Sequence, residues 1–311
     1  MNLCETPNSA SWPFPPWLCA ALPLALWSMN AVISRALLLH GSGAFDVLCW
    51  RALGGIAFGV LLLRCNPFSN MKAVFTMAGL FCVLNLICYN MALKYINAYL
   101  VMVLETSCFI FSMAYSLCRR ERVHICKLAV AFFAIGLALL YINAAKQENA
   151  NLLLGLFWGI LCSATFGLLN STLGSVDKSV PKVFAISVPC FLASLPVAAW
   201  DSANAAPSLV DSLVALGILG VLCTGAAYHF WGKASEHYSG VSLSMLFMLT
   251  LPGTFLTELI FLKMPLCALE LAASGILVAG ALANAMLKPS PNADLQASET
   301  QEQDGMQADE A

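Results

Sequence analysis

Two ionisable side chains, Arg51 and Glu105, stand inside long apolar runs, where a charge needs an opposite charge or a polar cavity around it. A buried glutamate of this kind can bind an ammonium group or take up a proton. Arg51 and Glu105 can equally neutralise one another as a structural ion pair. Glu258 and Glu270 lie nearer the ends of their runs and fit interfacial positions, with Glu258 also a candidate structural or coupling charge. Amides and aromatics recur at helical spacing. Trp27, Asn30 and Ser34 share one face, Asn85 and Tyr89 a second, and Ser163, Phe166 and Asn170 a third. Tyr228 and Trp231 lie three apart with His229 between them. Such faces should turn away from lipid and line a polar site, although the amides also suit interhelical hydrogen bonds and the rings suit packing or anchoring. His229 reads either as a satisfied buried histidine or as a proton relay. No nucleophile with a positioned base stands out, so an intramembrane enzyme is the weaker alternative. Cys118, His124 and Cys126 lack the paired spacing of a zinc site, and no metal or cofactor is expected.

The elements that must hold these residues are set by composition. The chain has 311 residues, 60% hydrophobic and only 10% charged, with mean hydropathy +0.80, where a soluble domain carries roughly 25% charged residues. Ten apolar runs follow one another at about 17–40, 46–63, 73–93, 97–118, 124–143, 152–173, 182–200, 209–232, 240–262 and 266–287, each near the ~20 residues that cross a bilayer. They are continuous, without the alternation of barrel strands, so the expected fold is an all-α polytopic membrane protein with ten transmembrane helices. Arg51 then lies about five residues, or roughly 8 Å, inside the outer end of the second helix. Glu105 lies about eight residues, or roughly 12 Å, inside the outer end of the fourth, a depth similar enough for the two to pair.

Basic residues in short loops set the orientation. With both termini cytoplasmic, the inside set is Arg64, Lys72, Arg119, Arg120, Arg122, Lys127, Lys178, Lys182, Lys233 and Lys288, against Arg35, Lys94, Lys146 and Lys263 outside. Residues 1–16 form a cytoplasmic segment without the basic start of a cleavable signal, so the first helix is expected to be retained. Residues 289–311 carry acids without a base and read as a disordered cytoplasmic tail. The 13 cysteines fall mostly in apolar runs, where a thiol behaves as a small hydrophobe. Gly55-x3-Gly59 and Gly155-x3-Gly159 read as sites of close helix packing. Pro23 and Pro252 should bend their helices.

The chain divides near residues 144–151 into two sets of five runs, 17–143 and 152–288. Duplicating an odd number of spans inverts the second copy, with a site near the midplane between copies. Ala92-Leu93-Lys94-Tyr95-Ile96-Asn97-Ala98 resembles Ala234-Ser235-Glu236-His237-Tyr238-Ser239-Gly240, and Phe109 to Glu121 spans the same length as Pro252 to Met264.

Leu26-Trp27-Ser28-Met29-Asn30, Arg51, Ala92 to Ala98, Glu121-Arg122 and Gly136 in the first set, with Gly155, Pro252, Pro265-Leu266, Gly275 and Gly280 in the second, resemble the drug/metabolite transporter superfamily, specifically its EamA-type ten-helix exporters, over residues 17–288. Phe109 stands where that pattern has proline, and Met264 where it has glutamate. The resemblance implies two inverted EamA-like five-helix repeats around a cavity lined by the first, third, fourth, sixth, eighth and ninth helices. It implies export of a small polar metabolite, such as an amino acid, by alternating access, with a possible coupling proton. The compact loops suit a bacterial cytoplasmic membrane. Expected partners are the cargo and the lipid bilayer, with no nucleic acid. A non-transporting membrane scaffold is the further alternative, and would tolerate leucine at the cavity-facing polar positions.

Overall fold

The computed structural model of the protein describes residues 15–64, 74–120, 136, 151–177, 180–204, 208–263 and 268–286. Among them there is no β-strand. The helices, taken as continuous spans, are α1 (Pro16–Leu39), α2 (Ala44–Leu62), α3 (Met77–Tyr95), α4 (Ala98–Cys118), α5 (Leu152–Leu173), α6 (Lys182–Asn204), α7 (Leu209–Ala234), α8 (Gly240–Phe261) and α9 (Ala268–Met286). The first eight contain stretches long and apolar enough to cross a membrane, and α9 carries a shorter apolar stretch, Leu271–Gly280. The run expected at 124–143 lies outside the described residues apart from Gly136, as do residues 1–14, most of 144–151 and the tail at 289–311. Gly136 packs against Leu277 of α9.

Polarity is arranged as in a protein whose solvent is lipid. Leu153 and Leu209 are 80% and 76% exposed, while Asn30, Asn85, Asn170, Ser112 and Ser163 are buried. Hydrocarbon is a suitable environment for the first group, and the second must find partners within the bundle. The chain is therefore an all-helical, multi-pass membrane protein.

Four local features shape these helices, one a side-chain cap and three that break the regular ladder. Thr76 Oγ1 accepts from the Gly79 amide at 3.1 Å, which starts α3 at Met77, later than the expected 73. Helix α4 is interrupted at Ser107, whose amide and hydroxyl both donate to the Leu104 carbonyl three residues back, at 3.0 and 2.5 Å. That bond competes with the regular four-residue ladder. Helix α8 tightens into a 3-10 turn over Phe247–Leu249, and Thr250 Oγ1 donates three residues back to Phe247 at 2.7 Å. Pro252, with no amide hydrogen to give, follows at once. Pro23, by contrast, sits within a continuous helix.

The fourth feature is a widened π stretch over Ala215–Ala226 of α7, with a shorter one over Phe58–Leu62 of α2. These helices meet backbone to backbone: a Cβ on Gly54 would lie 2.2 Å from the Leu216 carbonyl oxygen, and one on Gly220 would lie 2.7 Å from Gly54 Cα. Only glycine permits that approach. Gly155 and Gly159 in α5 similarly receive Ile96 and Leu104. The contact between α2 and α7 brings Arg51, one turn before Gly54, against α7.

Candidate functional site

A cavity opens between α1, α2, α3, α4, α5, α7 and α8, lined by Trp27, Asn30, Arg51, Asn85, Tyr89, Met102, Glu105, Phe166, Tyr228 and Phe247, with Leu86. Eight of the residues singled out from sequence therefore share one wall: Trp27, Asn30, Arg51, Asn85, Tyr89, Glu105, Phe166 and Tyr228. Its volume is about 20 Å3, room for about one water molecule.

The charged part of the wall is held by neighbours rather than by a direct ion pair. Arg51, 1% exposed, donates from Nε to Thr224 Oγ1 at 2.6 Å. Thr224 in turn donates to the Leu219 carbonyl five residues back, at 2.8 Å, the spacing that the π stretch creates. Glu105, 5% exposed, accepts at Oε1 from Asn85 Nδ2 at 3.1 Å and from Cys162 Sγ at 3.5 Å. Asn85 Nδ2 also donates to the Cys162 carbonyl at 3.0 Å. The ion pair that similar depth permits is not among the salt bridges of the described residues; Arg51 and Glu105 instead face a common cavity.

Aromatic rings supply the rest. Trp27 lies edge-on to Tyr228, Phe247 and Phe166, with ring centres 5.2, 5.7 and 5.9 Å away, and its Nε1 donates to the Cys223 carbonyl at 2.8 Å. Asn30 Nδ2 donates to Tyr89 Oη at 3.1 Å. Tyr89 in turn reaches Met102 Sδ at 3.9 Å.

Six other sequence candidates do not line the cavity. Trp231 Nε1 donates to Asn170 Oδ1 at 2.9 Å, and Asn170 Nδ2 donates to Ser244 Oγ at 3.0 Å. This pair forms a neighbouring layer, joined to the cavity through Trp231 against Trp27 at 5.1 Å. His229 is half-buried and faces Phe58 and Phe230. Glu258, near its helix end, is buried within the bundle, near enough to Arg35 for their charges to interact. Arg35 itself donates to the Leu93 carbonyl, which ties α1 to α3. The side chain of Glu270 lies outside the described residues. Of the face expected to carry Ser163, that hydroxyl instead meets Ser107 at 2.6 Å, and Ser34 is buried without lining the cavity.

Sequence reasoning missed Thr224, Cys162, Met102 and Phe247. Thr224 is polar within an apolar run and so had a signal, but the π stretch shifts its phase away from ordinary helical spacing. Cys162, Met102 and Phe247 are indistinguishable in sequence from core residues.

No protein-family model matches this sequence, and no curated protein matches it either. Solved structures do. One of them, described only as "Crystal structure of protein", aligns over 88% of this chain and 99% of its own length with a TM-score of 0.61 at 18% identity. At that identity the likeness is one of fold.

Proposed function

We propose that this protein is a secondary transporter that exports a small polar metabolite by alternating access. In this reading ten spans form two inverted five-helix repeats, as in the EamA-type exporters that the sequence resembles, within a bacterial cytoplasmic membrane and with both termini cytoplasmic. The observation that carries it is the cavity: charges and amides from the first part of the chain and aromatic rings from both converge on one buried point among membrane helices. Intramembrane ionisable groups are costly and mark cargo or ion pathways.

Two further observations support it. The amide of Asn30 bonds an aromatic of α3, and the amide of Asn170 bonds an aromatic of α7, the arrangement a duplicated unit would repeat. The caps and breaks also correspond. Asn97 caps Leu100 at the start of α4 and Ser239 caps Ser242 at the start of α8, and each helix then loses its regular ladder near its middle. A cavity with room for about one water must widen to admit a metabolite, and interrupted helices can bend without first breaking a full ladder.

Metabolite profiling of cells with and without the protein, followed by proteoliposome flux of the metabolite that changes, tests the reading. A solute that moves only with the protein present is expected. Lipid or peptide hydrolysis without flux would contradict it. Cysteine labelling from outside should reach the loops near Lys146 and Asp201 but not residues 119–127, and labelling of that basic loop would reverse the orientation.

A further inference from the structure

The cavity is closed toward the two ends of the bundle in different ways. At one end α1, α3 and α8 finish and α4 begins, and His40 at the end of α1 reaches Asp211 at the start of α7 at 3.6 Å. There Arg35 of α1 donates to the Leu93 carbonyl of α3 and interacts electrostatically with Glu258 of α8. Phe255 lies three residues before Glu258 and so on the same face of α8. It meets the ring of Tyr99 at 5.8 Å, and Tyr99 Oη bonds Ser274 Oγ of α9 at 2.5 Å. These contacts stand over the cavity wall. Arg35 lies five residues from Asn30, Leu93 four from Tyr89 and Tyr99 three from Met102, or about 7.5, 6 and 4.5 Å along their helices.

Toward the other end the closure is apolar. Trp27 packs edge-on to Trp231 at 5.1 Å and Phe166 against Phe247 at 4.6 Å, with all four rings buried. Opening that end means parting and wetting these rings. Opening the first end means exchanging polar contacts, and Arg35 is only half-buried, so water can take up its donors as it leaves Leu93 and Glu258. Water entering there would also reach Arg51 Nη1 and Asn30 Oδ1, buried atoms of the cavity residues without a hydrogen-bond partner among the described residues.

We propose that Arg35 and Glu258 form the latch of a gate, and that the cavity opens at their end when α1 parts from α3 and α8. This goes beyond the transport reading by naming the door, and rests on it for what passes through. In the orientation proposed above, the door faces outward.

Cys162, whose thiol donates to Glu105 Oε1, reports on the cavity from within. Intact cells and inverted membrane vesicles carrying the full chain are treated with a membrane-impermeant quaternary-ammonium methanethiosulfonate, and modification of Cys162 is followed by peptide mass spectrometry. Asp201→Cys, near the end of α6, marks the face that carries the latch. Wild-type Cys162 should react slowly from either face. Glu258→Gln keeps the shape of the side chain and removes its charge, and should raise the rate at least about fivefold from the latch face. Arg35→Gln should do the same, and adding Glu258→Gln to it should change the rate by less than about twofold, since either substitution already breaks the contact. Labelling of both folded variants at the wild-type rate would overturn the proposal, as would a rise from the opposite face alone. Should one variant fail to fold, the other decides; should both, Arg35→Lys, which keeps the charge without the guanidinium fork, takes their place. Unchanged labelling with flux intact would sink the latch and leave transport standing. Raised labelling in a protein that moves no solute from a whole-cell metabolite extract would support the latch and sink transport.

Discussion

Asn30 and Asn170 are the same residue type, each on a membrane helix and each bonded to an aromatic side chain, yet their surroundings differ in saturation. Asn170 is used at both ends: it accepts from Trp231 and donates to Ser244, whose hydroxyl meets Ser112 at 2.9 Å. Ser112 continues to Ser171 at 2.9 Å and to the Gly167 carbonyl at 2.7 Å. Asn30 bonds Tyr89 through its nitrogen, while its oxygen has no partner among the described residues and lies at a cavity. Lipid offers such an atom no partner, and the cavity beside it has room for about one water molecule. The network around Asn170 is complete and joins α4, α5, α7 and α8. The wall around Asn30 and Arg51 gives up some stability to keep polar atoms available, a common trade at functional sites.

Substitutions on the two sides should therefore separate stability from transport. The largest loss of stability is expected for Asn170→Leu, which removes the acceptor of Trp231 and the donor to Ser244 and should cost about 2–4 kcal/mol. Thermal unfolding in detergent would show it as a clear drop in midpoint, and a variant as stable as wild type would remove the contrast. Thr224→Val keeps the shape but leaves Arg51 Nε without its acceptor, at a cost of about 1–3 kcal/mol in the same assay. Asn30→Leu deletes one hydrogen bond together with an unpartnered oxygen, so its stability should change by about 1 kcal/mol or less while flux falls at least about tenfold. Equal flux in that variant would mean the free oxygen serves no cargo. Deletion of residues 289–311 should have the smallest effect, leaving folded yield and flux unchanged, since an acidic segment with few apolar residues buries little surface. A large loss of flux at equal expression would assign the tail a binding or gating role.

Much of this was legible in the residues themselves. Long apolar runs announce spans because lipid demands them, and polar residues at helical spacing announce an inward face, so Asn30, Asn85, Tyr89 and Tyr228 could be found without a structure. Depth along a helix also brought Arg51 and Glu105 to one cavity. It could not show that they stand apart, because lateral separation depends on helix packing at Gly54 and Gly220. Depth alone said nothing of what Glu258 faces, because packing decides that it is buried within the bundle near Arg35. The wide turns of α7 were illegible for a related reason: π stretches follow from tertiary contact, and they displace Thr224 from the phase that a regular helix assigns.

The central claim is that the cavity handles cargo, and Glu105→Gln tests it most directly. Glutamine keeps an oxygen to accept from Asn85 and Cys162, so the folded yield should match wild type. With equal amounts reconstituted, the account predicts a fall in flux of at least about tenfold, with an altered dependence on pH, because the cavity has lost its negative charge. A collapse in yield that Arg51→Leu restores together with full flux would reduce the two charges to structure. An unchanged rate and pH profile in folded Glu105→Gln protein would contradict the claim outright.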